Sequence, residues 1–379
     1  MSKVYFDNAA TTPISEDVAD IVSQVMKNNF GNPSSIHSFG RESRSLIEGV
    51  RKSIADELNV KSSEIIFTSG GTESNNMIIK GAVETHKIDR IITTKIEHKA
   101  VLVASESCKI KYNVELVYIN VNNQGFPDLI ELENLLSNSN KKTLVSLMHI
   151  NNEIGSIIDL SEVGNICKKF NALFHSDTVQ TIGHYKIDLS KINIDFITCS
   201  AHKFHGPKGI GFAFVKEKLK FNSLIEGGAQ ERGCRGGTES VHNIAGLNVA
   251  FVEAYKKLDT ETEKIQELKK YFISELRKSV DFKINGSINK SSHTILNILL
   301  PINIKKKPIL NFKLDMEGIA CSAGSACQSG SDKPSHVLSE ILDSDAMKNI
   351  SLRFSFSKLN KKDEVDKVVD FLNKFINEN

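Results

Sequence analysis

FITCSAHKFHGPKGIG, residues 196–211, gives the clearest indication of how this chain folds. An apolar run typical of a buried strand turns polar at Ser200, His202 and Lys203, just before a glycine-proline turn. In parallel α/β sheets, ligands bind where the strands end. A lysine at such an edge is partly desolvated, which makes its amine a nucleophile toward aldehydes. By itself, the same stretch also fits a surface turn that carries a solvated lysine.

Strand-like and helix-like patterns alternate from about residue 14 to 215. Apolar residues recur at helical spacing over 14–28 and 43–58. Seven short apolar runs follow, mostly separated by helical or polar segments, and this order predicts an α/β fold with a mostly parallel seven-stranded sheet flanked by helices. The runs are 65–68, 90–94, 114–119, 143–148, 172–175, 194–198 and 210–215.

The pattern changes after about residue 240. Helical spacing continues over 243–278 and predicts one long amphipathic helix that bridges two domains. We therefore expect a large cofactor-binding domain over 14–250 and a smaller α+β domain formed by 1–13 and 251–379. The predicted elements of the C-terminal part are strands at 294–299 and 351–356 and helices at 335–342 and 361–376.

Composition and charge exclude several classes of protein. The 379 residues include 48 Lys and Arg against 46 Asp and Glu, so nothing indicates a polybasic surface that binds nucleic acid directly. No apolar run approaches the ~20 residues of a membrane span, and the N-terminal residues lack the apolar region of a secretory signal. The six cysteines form no CxxC pair, and the histidines form no metal-ligand pattern. We expect a cytoplasmic protein without a metal site.

Two further segments complement Lys203. Residues 67–76, FTSGGTESNN, read as a strand, a glycine pair and a helix start, an arrangement that binds phosphate. Residues 174–180, FHSDTVQ, place Asp177 after another strand, where its carboxylate could keep a pyridine nitrogen protonated. Each segment alone also fits an ordinary capped helix or ion pair. Together with the lysine, they follow the order expected of a pyridoxal-phosphate enzyme.

Over essentially its whole length, the chain resembles the cysteine desulfurases of the NifS/IscS type. These belong to the class V aminotransferase superfamily of fold-type I pyridoxal-phosphate enzymes. One departure is a glycine, Gly71, where many members have alanine. The matching blocks are FDNAATTP (6–13), GNPSSIHSFG (31–40), FTSGGTESNN (67–76), EHKAV (97–101), MHINNEIG (148–155), FHSDTVQ (174–180), SAHKFHGPKG (200–209), GGAQERGCRGGTES (227–240), SAGSACQSG (322–330) and SLRFS (351–355).

The resemblance implies pyridoxal 5'-phosphate as cofactor and L-cysteine as substrate. In this family pattern, Lys203 binds the cofactor aldehyde, and His98 stacks on the ring and takes part in proton transfer. Arg353 clamps the substrate carboxylate, a task suited to a guanidinium. Thr238 reaches the phosphate site of a second subunit, so we expect a homodimer. The other implied cofactor contacts are Gly71, Thr72, Asn152, Asp177, Gln180, Ser200 and His202, and Asn152 also faces the substrate.

Cys327 is the implied sulfur acceptor. It lies in the small-residue stretch CSAGSACQSGS (321–331), and its thiolate would take the substrate sulfur as a persulfide. The sulfur would pass to an acceptor protein, such as an iron–sulfur scaffold or a carrier for tRNA thiolation. Cys321 is expected to be structural. The alternatives are a selenocysteine lyase, a cysteine β-lyase or aminotransferase on the same fold, or a catalytically silent scaffold.

Overall fold

The computed structural model describes residues 3–323 and 334–377. Strands and helices alternate along most of these ranges. The strands are β1 (Val4–Tyr5), β2 (Ile65–Thr68), β3 (Arg90–Thr93), β4 (Glu115–Tyr118), β5 (Thr143–Ser146), β6 (Leu173–Asp177), β7 (Phe196–Ser200), β8 (Gly211–Val215), β9 (Lys283–Ile284), β10 (Ile295–Asn303), β11 (Ile319–Ala320) and β12 (Asn349–Ser355). The α-helices are α1 (Glu16–Asn28), α2 (Ser38–Leu58), α3 (Gly71–His86), α4 (Lys99–Tyr112), α5 (Leu129–Ser137), α6 (Leu160–Lys169), α7 (Val241–Lys256), α8 (Leu258–Ser279), α9 (Lys307–Met316), α10 (His336–Ile341) and α11 (Lys362–Asn377).

The largest sheet has seven strands in the order β2-β8-β7-β6-β5-β3-β4. Strands β3 to β7 pair in parallel, whereas β8 runs antiparallel to both β2 and β7. Each of the seven apolar runs in the sequence overlaps one of these strands, so the predicted mostly parallel sheet is confirmed. The runs are continuous because helices cover both faces of the sheet, and neither face is left for polar side chains.

Alternate residues of one strand pack into different cores. Phe212 and Phe214 of β8 lie in a core shared with α1, α2 and α7, whereas Ala213 and Val215 lie in a core shared with α3 and α4. This two-residue period follows from the pleat of the strand. The sheet therefore has an apolar core on each face, and polar side chains collect where its strands end.

A separate apolar core surrounds the three-stranded sheet β12-β10-β9. Phe6, Phe272, Phe354 and Phe356 pack there, with ring centroids 4.8 to 6.3 Å apart. The N-terminal strand β1 also joins this region by pairing in parallel with β11. The predicted domain boundaries at residues 13 and 250 stay a prediction, and the separation of the cores supports them.

The prediction of one long helix over 243–278 is wrong, because the chain forms α7 and α8 with a break at Lys257. Helix α7 buries Phe251 against the large sheet, and α8 buries Phe272 in the separate core. No residue between Ala254 and Ile265 is buried. The break lets each helix turn its apolar side to its own core. Within residues 3–323 and 334–377, the helices are too short or too polar to cross a bilayer.

Candidate active site

A cavity of about 370 Å³ lies at the carboxyl ends of β6 and β7 and at the start of α3. The cavity contains ten residues singled out in the sequence. They are Gly71, Thr72, His98, Asn152, Asp177, Gln180, Ser200, His202, Lys203 and Arg353. Residues that lie more than 280 positions apart in the chain thus meet at one site, as expected for the edge of a parallel sheet.

Lys203 ends a short 3-10 turn that directly follows β7. Its Nζ donates hydrogen bonds to the carbonyl oxygens of Ala9, at 2.6 Å, and Ala10, at 2.8 Å. The side chain of Gln180 donates to the same Ala9 carbonyl at 3.0 Å. The N-terminal segment therefore fixes the amine inside the cavity, where an aldehyde can reach it.

The start of α3 forms one end of the cavity. Gly70 has a φ of 140°, a conformation that favours glycine, and an added Cβ would lie 3.3 Å from Ser200 Oγ. A Cβ on Gly71 would lie only 2.8 Å from Val179 Cγ2, so a larger residue at position 71 would clash with the side chain of Val179. Thr72 follows in the first turn of the helix, where free backbone N–H groups are suited to an anion.

His202 lines the same end of the cavity as Ser200. Its Nδ1 lies 3.1 Å from Thr11 Oγ1. Burial and the neighbouring charges of Lys203 and Lys208 lower the pKa of His202 to about 4. At neutral pH the ring is therefore uncharged and acts as a hydrogen-bonding group. Burial contributes most to the lowered pKa of His202.

Asp177 ends β6 and is buried at the cavity wall. Its Oδ2 accepts a hydrogen bond of 2.7 Å from Asn75 Nδ2, and its Oδ1 accepts one of 3.0 Å from the backbone N–H of Val179. Both bonds hold the carboxyl group in one orientation. A carboxylate fixed in this way can pair with a protonated ring nitrogen.

His98 is the N-cap residue of α4, and its Nδ1 accepts a hydrogen bond of 3.1 Å from the backbone N–H of Ala100. A neutral His98 therefore carries its proton on Nε2. This residue and Asn152 line the cavity with Arg353. Their positions agree with a role beside the ring and the substrate.

Arg353 lies on β12 and is 1% exposed. Its guanidinium donates to the carbonyl oxygen of Asn152 at 2.7 Å, to Asp7 Oδ1 at 2.8 Å and to Ser322 Oγ at 3.0 Å. Its Nε is buried without a hydrogen-bond partner among the described residues. An unsatisfied buried N–H group is unfavourable, so this atom is suited to a carboxylate ligand.

Three further polar residues at or beside the cavity were not singled out from the sequence. Glu153 and His336 line the cavity, and Glu97 lies behind it. Glu97 Oε2, Glu153 Oε1 and His336 Nδ1 are buried without a partner in the described part of the chain. Burial raises the pKa of Glu97 well above its usual range. Glu97 and Glu153 lie inside the blocks EHKAV and MHINNEIG, which could have identified them.

Thr238 is the predicted cofactor contact that the structure keeps apart from the others. It is exposed and lines a separate cavity with Gly209, Glu231 and Arg235. Cys327 lies outside the described residues. The remaining cysteines are free, and burial raises the pKa of each thiol, to about 12 for Cys321.

The residues of the cavity fit a phosphorylated pyridine aldehyde. An amine is available for the aldehyde at Lys203, a carboxylate for the ring nitrogen at Asp177, and a helix start for the phosphate at Gly71 and Thr72. The donors at that end of the cavity are the hydroxyl groups of Thr72 and Ser200, the imidazole of His202 and the backbone N–H groups at the start of α3. The chemistry of this donor set therefore agrees with the cofactor implied by the sequence.

Comparison with known proteins finds one family and one fold. The aminotransferase class-V family profile matches residues 4–368. The cysteine desulfurase IscS of Dictyoglomus turgidum (strain DSM 6724 / Z-1310) is 42% identical over 380 residues, which cover 99% of this chain and 94% of that protein. The solved structure of a NifS-like protein has a TM-score of 0.91 and 34% identity, with 100% of both chains covered. The structure of SspA in complex with cysteine has a TM-score of 0.81 and 30% identity, with 94% of this chain and 100% of that chain covered.

Proposed function

This chain belongs to the aminotransferase class-V family and has the pyridoxal-phosphate-dependent cysteine desulfurase activity of its IscS and NifS relatives, and we propose how its residues divide that reaction. The observation that carries the proposal is the meeting of Lys203, Asp177 and Arg353 in one cavity. Lys203 holds the cofactor, Asp177 pairs with its ring nitrogen, and Arg353 binds the carboxylate of L-cysteine. Gly71, Thr72, Ser200 and His202 hold the phosphate.

When bound, pyridoxal phosphate supplies an aldehyde that captures amines and a ring that accepts an electron pair from the substrate Cα. Lys203 Nζ would take the proton from the substrate Cα. His98 lies on the same cavity and holds a proton on Nε2 for transfer at the substrate. Asn152 and Gln180 contact the ring and the substrate region.

Cys327 is the sulfur acceptor. Its thiolate attacks the substrate sulfur, a new S–S bond forms, and the C–S bond breaks with its electron pair left on carbon, which is protonated to give L-alanine. Ser322, five residues earlier, contacts Arg353 at the cavity, and a five-residue chain spans at most about 17 Å. The raised thiol pKa values of the described cysteines make them poorer nucleophiles.

Product analysis tests this assignment. Wild-type protein incubated with L-cysteine should form L-alanine and a protein persulfide in equal amounts, whereas a β-lyase would form pyruvate. Cys327→Ser should form neither alanine nor persulfide at the normal rate, yet keep the visible absorption of the bound cofactor. Cys321→Ser is the matched control and should retain activity. Normal alanine formation by Cys327→Ser would contradict the assignment.

The persulfide sulfur is proposed to pass to an acceptor protein for iron–sulfur cluster assembly or tRNA thiolation. The IscS names of the relatives support the first of these. A reducing cytoplasm is the proposed location, because the described cysteines are all free thiols. Transfer of sulfur from loaded enzyme to a purified iron–sulfur scaffold, followed by the mass of both proteins, tests the acceptor.

A homodimer with shared active sites is also proposed. Thr238 is exposed and lies outside the cavity of its own chain, which supports a role at the phosphate of a second copy. The test mixes subunits that carry Lys203→Ala with subunits that carry Thr238→Asp. If Thr238 acts across the dimer, mixed dimers contain one intact site and regain activity. If it acts within its own chain, mixing restores nothing.

A further inference from the structure

A chain of hydrogen bonds extends from Asp177 into the interior of the large sheet. Asn75 Nδ2 lies 2.7 Å from Asp177 Oδ2, and Asn75 Oδ1 lies 2.8 Å from Thr198 Oγ1. Thr198 Oγ1 lies 3.0 Å from His175 Nε2, and His175 Nδ1 lies 2.8 Å from Ser146 Oγ. Each of the five side chains is at most 5% exposed.

The register of the sheet brings these residues together. Asp177 on β6 is paired with Thr198 on β7, and Ser146 on β5 is paired with His175 on β6. Asn75 comes from α3 and bridges Asp177 and Thr198. Four elements therefore contribute to one continuous chain that ends at the cavity.

Every hydrogen bond in this series is donated in the direction of Asp177. A carboxylate only accepts, so Asn75 must turn its NH₂ group to Asp177 and its oxygen to Thr198. The Thr198 hydroxyl then donates to Asn75 and accepts from His175 Nε2–H. The bare His175 Nδ1 accepts from the hydroxyl of Ser146. Burial lowers the pKa of His175 to about 4, which agrees with a neutral ring in this arrangement.

We propose that Asn75, with Thr198 and His175 behind it, is a positioning residue that holds Asp177 as an oriented carboxylate for the ring nitrogen of the cofactor. This inference rests on the proposed contact between Asp177 and that nitrogen. Donors that share one direction polarise each other in a buried site, and a hydrogen bond to a charged group is stronger than one between neutral groups. The sheet interior thereby holds the carboxylate group of Asp177 in one orientation for pairing with a cationic ring.

The alternative is a purely structural network that stabilises the sheet. Such a network would affect every ligand of the cavity equally. The proposed role makes a narrower prediction, because only the interaction with the ring nitrogen depends on the orientation and charge of Asp177. A cofactor analogue without that nitrogen separates the two.

The experiment compares pyridoxal 5'-phosphate with 1-deazapyridoxal 5'-phosphate, in which carbon replaces the ring nitrogen. Apo-protein is titrated with each compound, and the ratio of the two dissociation constants is measured for wild type, Asn75→Ala, Thr198→Val, Asp177→Asn and Ser176→Ala. Ser176 is the matched control, since its buried hydroxyl lies on the same strand and has no partner among the described residues. Urea unfolding of each apo-protein reports its stability separately.

We expect wild type to prefer pyridoxal phosphate and Asp177→Asn to lose that preference. Asn75→Ala should reduce the preference about tenfold, the effect of one hydrogen bond to a charged group. Thr198→Val, which is nearly isosteric, should reduce it about threefold. Ser176→Ala should leave it unchanged.

Two results would overturn the inference, and they are distinguishable. If Asp177→Asn collapses the preference while Asn75→Ala and Thr198→Val keep it, the positioning role is wrong and the contact of Asp177 with the ring stands. If Asp177→Asn keeps the preference, the contact itself is wrong, whether or not the wild type still forms alanine.

Discussion

The cavity has two sides that differ in how completely their buried polar atoms are satisfied. On the Asp177 side, formed by Asn75, Asp177, Thr198, His175 and Ser146, each side chain is tied into one hydrogen-bonded chain. On the Arg353 side, formed by Glu153, His336 and Arg353, each residue keeps one buried polar atom without a partner among the described residues.

The difference indicates which side is completed by a ligand. An unpaired buried polar group costs about 1–3 kcal/mol, and those that line the cavity beside Arg353 can recover this cost when a ligand binds. The Asp177 side is organised by the protein before any ligand arrives and is suited to a permanent cofactor. The Arg353 side is suited to a substrate that comes and goes.

The largest expected effect comes from Lys203, which lines the cavity together with Asp177 and Arg353. Lys203→Ala should lower the rate of alanine formation by about a thousandfold or more, because the amine is needed both to hold the cofactor and to move the Cα proton. The measurement is alanine formed under saturating L-cysteine. Lys216→Ala removes a surface lysine paired with Asp195 and serves as the control. Comparable rates of alanine formation in both variants would contradict this role of Lys203.

Arg353→Lys should raise the KM for L-cysteine about 10- to 100-fold with a smaller change in kcat. Lysine cannot reproduce the planar fork of the guanidinium. Binding of the L-cysteine carboxylate and the contacts to Asp7 and Asn152 are therefore both weakened. Steady-state kinetics of alanine formation provide the check. Arg90→Lys, another buried arginine that lies away from the cavity, should leave KM unchanged. An unchanged KM in Arg353→Lys would place the carboxylate elsewhere.

Stability measurements sharpen the comparison of the two sides. Thr198→Val should lower the free energy of unfolding by about 1–3 kcal/mol, because it leaves buried atoms of Asn75 and His175 unpaired. Glu153→Gln should be nearly neutral or stabilising. One carboxylate oxygen of Glu153 has no described partner, and the amide oxygen of glutamine can replace the other as the acceptor of the hydrogen bond from Ser335. Urea unfolding of the apo-proteins measures both. Equal losses would show that the two sides do not differ.

A loss of stability is also expected on acidification. Burial lowers the pKa of seven histidines, to about 4 for His149, His175, His184 and His202, to about 3 for His293, and below the usual value for His205 and His336. The unfolded chain binds these protons near pH 6.5 and the folded chain does not, so stability falls as the pH drops from about 6.5 toward 4. Glu97, with its raised pKa, acts in the opposite direction. A urea midpoint that rises between pH 7 and pH 5 would contradict this.

Much of the fold could be predicted from the sequence because buried parallel strands give continuous apolar runs, as in β5. Asp177 and Lys203 could be predicted because polar residues directly follow such runs. The break at Lys257 could not, since helical spacing continues across it and only the separation of the two cores requires it. The series of hydrogen bonds behind Asp177 could not be predicted either, because it depends on which strands become neighbours and in which register.

The central claim is that sulfur leaves L-cysteine in this cavity and is received by Cys327. The most direct measurement is rapid mixing of the holoenzyme with L-cysteine without an acceptor, followed by digestion and mass mapping of every cysteine-containing peptide. We expect the mass of one added sulfur atom on the peptide that carries Cys327, formed together with one L-alanine. Sulfur found on Cys321 or another cysteine instead, or alanine formed with no sulfur on the protein, would contradict it.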